Sequence, residues 1–542
     1  MKAAFTPKLV TTLREGITLA RLKDDALAGL TVAIVALPLA MALGITSGAS
    51  PDKGLVTAIV AGFLISALGG SRVQIGGPTG AFVVVISGII AHHGYSGLIL
   101  ATMLAGLILI IAGYAGVGRL MRFIPAPVVT GFTAGIAVII ASSQIADFLG
   151  LRAPHIPAEF FGKWAAYAGA IDTINFAALG IGAGALAIIL LLKRFAPRWP
   201  GYLIALILAA LAALLLRLPV ETVGLRFPDM PTSLPAPELP AFSLPLLKDV
   251  VGPAFTIAFL AGIESLLSAT VADGMTGYRH RSGQELVGQG VANLASALFG
   301  GMPATGAIAR TATNIRAGGK TPLAGIFHAL FLLLFLLIAG PLIGYIPMAA
   351  LAAVLLMVAW GMSEIERFRA LLRLHMGERL LLLLTFALTV AVDLTVAIGV
   401  GVTLASLLFM ARMSEASGLL TEDETEEDPA QRAALPRNVE VFRLAGPLFF
   451  GAAGEMLDTL TRIGRTPRGV ILRMERVPYI DASGIMMLES FVRQARDAGT
   501  SVTLCEIRAA VGTELRRAHP PFAGAESVGS FEEALARYAD KG

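Results

Sequence analysis

Two short stretches carry the residue types of a binding site: GGPTGAF at 76–82 and GGMPATGAI at 300–308. Each joins glycines and a proline to Thr-Gly-Ala and leads into a short apolar run. Glycine and proline interrupt regular structure, so each stretch breaks a hydrophobic region. A helix restarting after such a break offers N–H groups without intrahelical acceptors and the positive end of its dipole. That is a natural seat for an anion. Thr79, Gly80, Ala81 and Phe82 in the first copy match Thr305, Gly306, Ala307 and Ile308 in the second. Two copies in corresponding places of two halves point to one site built from both. The small pairs Gly80-Ala81 and Gly306-Ala307 would let a ligand approach the backbone closely.

Charged residues near these stretches narrow the chemistry. Glu264 stands several turns inside the otherwise apolar run GPAFTIAFLAGIESLLSAT. Ionisable groups inside a membrane are costly and usually functional, so Glu264 reads as a proton carrier or cation partner, with a structural carboxylate as the plainer role. Ser268 lies one turn on and shares its face. Arg310 follows the second break by a few residues. Two roles are open to it, charge beside the anion or an ordinary basic residue of the inner vestibule. Asp393 sits deep between the last two apolar runs and reads as structural.

Only a membrane could hold such a chain. Of 542 residues, 56% are hydrophobic and 15% charged, with mean hydropathy +0.76, far from the quarter charged of soluble domains. Residues 1–26 are polar and mixed and read as a cytoplasmic amphipathic lead-in rather than a cleaved signal. Apolar segments follow near 27–46, 54–70, 78–91, 97–117, 126–146, 173–192 and 200–217. The second half gives 250–270, 284–299, 305–315, 322–343, 345–361, 379–393 and 395–412. The third and tenth are too short to cross alone. Because each half holds seven segments, the second enters the membrane inverted, and the two half-helices can meet near the midplane. Basic residues cluster in alternate loops: Arg72; Arg119 and Arg122; Lys193, Arg194 and Arg198; Arg279 and Arg281; Arg316 and Lys320; Arg367, Arg369, Arg373 and Arg379. The positive-inside rule then places both termini in the cytoplasm.

After this 27–413 region, 414–436 is acidic, lacks apolar periodicity and reads as a linker. Residues 437–542 read as a small α/β domain, with VEVFRL, PLFF, GVILRM and SVTLCEI as strands. EMLDTLTRI, GIMMLESFVRQARDAG and FEEALARYA read as its helices.

The joint occurrence of GGPTGAF, FIPAPVVTGFTAGIAVIIASSQI, GIESLLSATVADGMTG, ELVGQG, GGMPATGAIARTATNIRAGGKTPLAGI and YIDASGIMMLE resembles the SulP family of inorganic-anion transporters with a C-terminal STAS domain. The resemblance covers essentially the whole chain. It implies a fourteen-segment inverted repeat, with segments 1–4 and 8–11 as a core moving against a gate of 5–7 and 12–14, like an elevator, in a homodimer of the inner membrane. It places the anion among Pro38, Thr79, Gly80, Ala81, Phe82, Thr305, Gly306, Ala307, Ile308 and Arg310, with Glu264 and Ser268 at the coupling ion. This sequence departs from the family where Leu39 replaces a common glutamine after Pro38, and where Glu264 and Ile308 replace the Asp and hydroxyl residue of sodium-using relatives. Protons are therefore favoured over sodium. Sulfate is the default anion, and bicarbonate or a C4-dicarboxylate the alternative. In Asp481-Ala482-Ser483-Gly484, Ser483 matches a regulatory phosphorylation position, or else simply caps its helix. A cytoplasmic partner of the STAS domain is also implied.

Other function classes fare less well. A channel needs no coupling carboxylate, and uptake that survives removal of 437–542 would argue against an obligate receptor unit. The net charge of +4 suggests no nucleic-acid partner. One cysteine, Cys505, and seven scattered histidines give no metal-ligand spacing. No nucleophile–base constellation and no G-x-x-x-x-G-K-[ST] stretch occurs, so neither an enzyme nor a cofactor is expected.

Overall fold

A computed structural model describes residues 5–119, 125–153, 156–157, 159–197, 199–228, 231, 233–240, 243–392, 394–415, 418–421, 438–449, 467–517 and 525–539. The chain divides into two compact units, 1–402 and 403–542.

The first unit is helical. Among the described residues, nine helices are long and apolar enough to cross a membrane, and Gly201–Leu215 is a shorter apolar one. After α1 (Lys8–Glu15), α2 (Leu19–Thr46) starts earlier than the sequence suggested, because Thr18 caps it by accepting from Arg21 N. Pro51 opens α3 (Pro51–Leu68), where its missing donor costs nothing. The strand β1 (Gly76–Gly77) and a 3₁₀ turn (Gly80–Phe82) lead into α4 (Val83–Tyr114), which turns at Gly94 (φ 68°) where the sequence put a loop. The first half continues with α5 (Ala126–Ser143), α6 (Ile145–Leu149), α7 (Phe160–Gly169), α8 (Phe176–Phe195), α9 (Gly201–Leu215) and α10 (Val223–Arg226).

In the second half, Ser243 caps α11 (Leu244–Thr276), and α12 (Ser282–Leu298) precedes the strand β2 (Thr305–Gly306). Then come α13 (Ile308–Arg316), α14 (Leu323–Ile343), α15 (Met348–Met362), α16 (Ile365–Leu371), α17 (Met376–Ala391) and α18 (Leu394–Glu415). Thus α13 begins three residues later than read from the sequence, because Thr305–Gly306 is paired as strand.

The helices pack in two sets. One contains α2, α3, α4, α11, α12, α13 and α14; the other contains α5, α8, α9, α15 and α17. Contact within the first set depends on backbone approach. A Cβ on Gly54 of α3 would lie 1.9 Å from the Ala40 carbonyl oxygen of α2. Between α4 and α12, Gly106 and Gly290 each face the other's carbonyl. Where no hydrophobic effect drives helices together, such small residues let packing and polar contacts do so.

The second unit holds a five-stranded sheet in the order β3 (Gly418–Thr421), β4 (Val439–Ala445), β5 (Gly469–Arg476), β6 (Ser501–Cys505), β7 (Ala525–Val528). The β3–β4 pair is antiparallel and the rest are parallel. Val470, Leu472 and Leu504 from the sheet pack with Leu488 and Phe491 of the helix Ala482–Asp497. Three readings are corrected here. Residues 418–421, assigned to the linker, pair as an edge strand. Among its described residues, PLFF supplies an isolated bridge, Leu448 to Ile480. The helix Ala509–Arg517 and the strand Ala525–Val528 were not foreseen. Residues 414–415, also assigned to the linker, end α18; 416–417, 422–436, the segment EMLDTLTRI, Arg122, Arg198 and Asp393 lie outside the described residues. Burial pushes the Cys505 thiol up to about 12, which leaves it unreactive.

Gly54→Ala is expected to destabilise the first unit by about 2–3 kcal/mol, the cost of overpacking against rigid backbone. Gly184→Ala, which would meet nothing within 4 Å, should be neutral. Melting temperatures of the two purified variants in detergent check the pair.

Candidate functional site

The two repeated stretches cross. Gly76 pairs with Gly306 and Gly77 with Thr305 in an antiparallel bridge, and Ala307 N adds a bond to Ile75 O at 2.8 Å. Irregular backbone inside an apolar body must find partners, and here polar side chains supply them. Thr311 Oγ1 accepts from Ile75 N, Asn314 Nδ2 donates to Val73 O, and Thr305 Oγ1 donates to Ala261 O. On the approach to β2, Asn293 bonds both the N–H and the carbonyl of Ala304, and Thr57 Oγ1 accepts from Met302 N at 2.7 Å. Tyr95 Oη, just past the Gly94 turn, donates to Gly300 O at 2.8 Å.

From this crossing the 3₁₀ turn at Gly80 and the helix α13 at Ile308 set out, so their first turns flank it. Thr79 precedes the first without capping it, because its Oγ1 donates to Glu264 Oε2 at 2.7 Å. Both residues are half-buried. Arg310, in the first turn of α13, is 2% exposed and donates from Nη2 to Pro78 O at 3.1 Å. Its Nε and Nη1 have no hydrogen-bond partner. Gly77 makes room for it, since a Cβ there would stand 2.4 Å from Nη1. One guanidinium with spare donors, one carboxylate, one hydroxyl and two helix starts are therefore adjacent. Chemically the cluster can take a small anion by charge and hydrogen bonds.

The other expected residues are placed as follows. Gly80 lies under Met362 of α15 and Ile140 of α5, and Ala81 and Phe82 are fully buried. Ala307 is buried, and Ile308 is 36% exposed. Thr305 is buried and turned to the α11 backbone. Ser268 is fully buried and bonds Thr311 Oγ1 at 3.2 Å, so it braces α13 and makes no bond to Glu264. Pro38 is buried inside α2. Ser483, in the second unit, is the second residue of its helix. The cap is Asp481, whose carboxylate accepts from Gly484 N at 2.8 Å, and not the serine.

A supporting layer went unread. Glu285 of α12 is fully buried and accepts four bonds: from Gly70 N, Ser71 N, Ser265 Oγ and Gln289 Nε2. Ser265 Oγ in turn accepts from Gln74 Nε2 at 2.9 Å. Gln74 lies against Gly306, where a Cβ would meet its amide nitrogen at 1.6 Å. Glu285 thus fixes the residue next to Glu264 and, through Gln74, the crossing itself. The signal was present: Glu285, Gln289, Asn293 and Ser296 recur at helical spacing in ELVGQGVANLAS and line one face.

Comparison with known proteins agrees with this architecture. The sulfate permease family matches residues 22–385, and a STAS domain matches 432–519. A putative sulfate transporter of Bacillus subtilis, YvdB, is 40% identical over 485 residues, covering 89% of this chain and 91% of that protein. The bicarbonate transporter BicA of Picosynechococcus is 31% identical, covering 88% and 87%. The murine solute carrier 26 family member A9 anion transporter shares the fold, with a TM-score of 0.88 at 18% identity over 100% of this chain and 95% of that one. The chain belongs to the sulfate permease family, and is a multi-pass membrane transporter rather than an enzyme.

Glu285→Ala leaves four donors without their acceptor and should cost about 3 kcal/mol or more of stability, whereas Glu285→Gln keeps part of the network. Thermal unfolding of both variants, read beside wild type, measures the difference.

Proposed function

We propose that this sulfate permease family member is a secondary active anion transporter coupled to protons. The observation that carries the reading is the buried Arg310, with two unpartnered donor nitrogens, between the first turns at Gly80 and Ile308. Thr79, Gly80, Ala81, Phe82, Thr305, Gly306, Ala307 and Ile308 would shape the seat around it, together with Pro38 of α2. Arg310 and the helix N-termini would bind the anion. Glu264, which accepts from Thr79 Oγ1, would carry the proton. Proton and anion would then travel together because each offsets the charge of the other.

Sulfate is the proposed substrate, supported by the 40% identical relative. Bicarbonate is the second reading, favoured by the extent of similarity to BicA; a C4-dicarboxylate would fit the same charge logic. The two helix sets suit a core and a gate. The first set would move as an elevator against α5, α8, α9, α15 and α17, as two inverted seven-segment repeats, in an inner-membrane homodimer with cytoplasmic termini. Asp25, Asp24 and Lys320 tie α2 to the start of α14 within the moving set. The STAS domain, through Ser483, would receive a regulatory signal or partner.

Purified protein in proteoliposomes under an inward proton gradient tests the reading, with sulfate, bicarbonate, fumarate and chloride compared. One anion should show gradient-stimulated uptake, reduced at least about tenfold in Glu264→Gln and Arg310→Gln, the equivalent of one lost charged hydrogen bond. Gradient-independent flux unchanged in Glu264→Gln would replace proton coupling with a channel or exchanger.

A further inference from the structure

The two copies of Thr-Gly-Ala are walled differently. Gly306 is backed by Gln74, a neighbour within the crossing itself, whereas Gly80 is backed by side chains of the other helix set. A Cβ at Gly80 would stand 2.7 Å from Met362 Sδ, 3.1 Å from Met362 Cε and 2.8 Å from Ile140 Cδ1. Ile140 of α5 is fully buried, and Met362, the last residue of α15, is half-buried. Both side chains crowd one point, so they form one wall. The backbone places the thioether there. Glu364 takes a left-handed conformation (φ 41°, ψ 44°) that few residues other than glycine adopt, which stops α15 just after Met362 and starts α16.

The other first turn is open. Ile308 and Ala309 of α13 are exposed, while Gly80, Ala81 and Phe82 are buried. An anion between the two turns would therefore have space beside Ile308 and a wall beside Gly80. That wall is the end of a flexible, unbranched side chain and not backbone, so its length decides how much room remains. It is also apolar. A second carboxylate pressed against it would lose its water and gain no partner.

We propose that Met362, backed by Ile140, is a specificity-determining residue of the anion seat: its thioether bars the Gly80 side and limits the seat to oxyanions built on one central atom, such as sulfate or bicarbonate, against longer dicarboxylates. The assignment rests on reading the seat as lying between the first turns at Gly80 and Ile308. It gives Gly80 a second purpose, because the missing Cβ lets the wall close onto the backbone that would meet the anion.

The test uses full-length protein in proteoliposomes under an inward proton gradient, with radiolabelled sulfate, bicarbonate and fumarate compared as ratios of kcat/KM. Wild type should favour sulfate or bicarbonate over fumarate by about tenfold or more. Met362→Ala, which opens the wall, should move that ratio toward fumarate about tenfold or more, and Met362→Leu should return it to within about threefold of wild type. A packing defect would lower all three uptakes together, so an unchanged ratio in Met362→Ala overturns the assignment, as does wild-type uptake of fumarate equal to that of the smaller anions. Met362→Cys gives a second readout that needs no loss of bulk. The native thiol, Cys505, is buried, so a charged methanethiosulfonate marks position 362. The transported anion at about ten times its KM should slow that labelling about fivefold or more, and an unchanged labelling rate overturns the assignment. Arg310→Gln is measured alongside. If it transports as wild type, or if wild type takes up none of the three anions, the underlying reading of the seat fails. If Arg310→Gln loses uptake while Met362→Ala keeps the wild-type ratio, the wall alone fails.

Discussion

Every backbone donor and acceptor inside an apolar body needs a partner, and the rest of this structure follows from how two interrupted segments meet that demand. Between Val73 and Thr79, and again between Gly300 and Ala307, the chain is not helical. Each stretch satisfies part of the other by the antiparallel bridge, and polar side chains on α3, α12 and α13 bond further backbone groups of both. None of these side chains is catalytic. They are the means by which glycine, proline and threonine can stand in the middle of an apolar domain at all.

The same arrangement determines where charge can be placed. Once the crossing is fixed, two helices begin beside it with their positive ends inward, and Arg310 is held against Pro78 by the space that Gly77 leaves. A cation so buried without a carboxylate partner is expensive, and the proposed anion would offset that cost. Glu285 works the opposite way. Its carboxylate is saturated by four donors, so it is rigid support for Ser265 and Gln74, and for the α11 turn that carries Glu264. One carboxylate is spent on structure, while Glu264 accepts a bond from Thr79 Oγ1 and is the one left for the proposed proton chemistry.

Much of this was legible because it is local. Apolar run length gave the helices, and Gly76-Gly77-Pro78 and Met302-Pro303 marked the breaks. The pairing of the two breaks followed only from their likeness, since no local rule sets a register between segments so distant. Ser268 misled because helical spacing gives the face but not which neighbour that face meets; it meets Thr311. Residues 418–421 hid beside an acidic stretch that dominated the reading of composition, and Asp481 rather than Ser483 proved to be the cap because a carboxylate at the preceding extended position reaches Gly484 N. The polar stripe on α12 was readable, and its helical spacing was the clue.

The most direct test of the central claim is a structure of the protein determined at a saturating concentration of its transported anion. The account predicts density for the anion between the first turns at Gly80 and Ile308, within hydrogen-bond distance of the Arg310 guanidinium. An anion bound elsewhere in the membrane unit, with Arg310 still turned to Pro78 O, would contradict it.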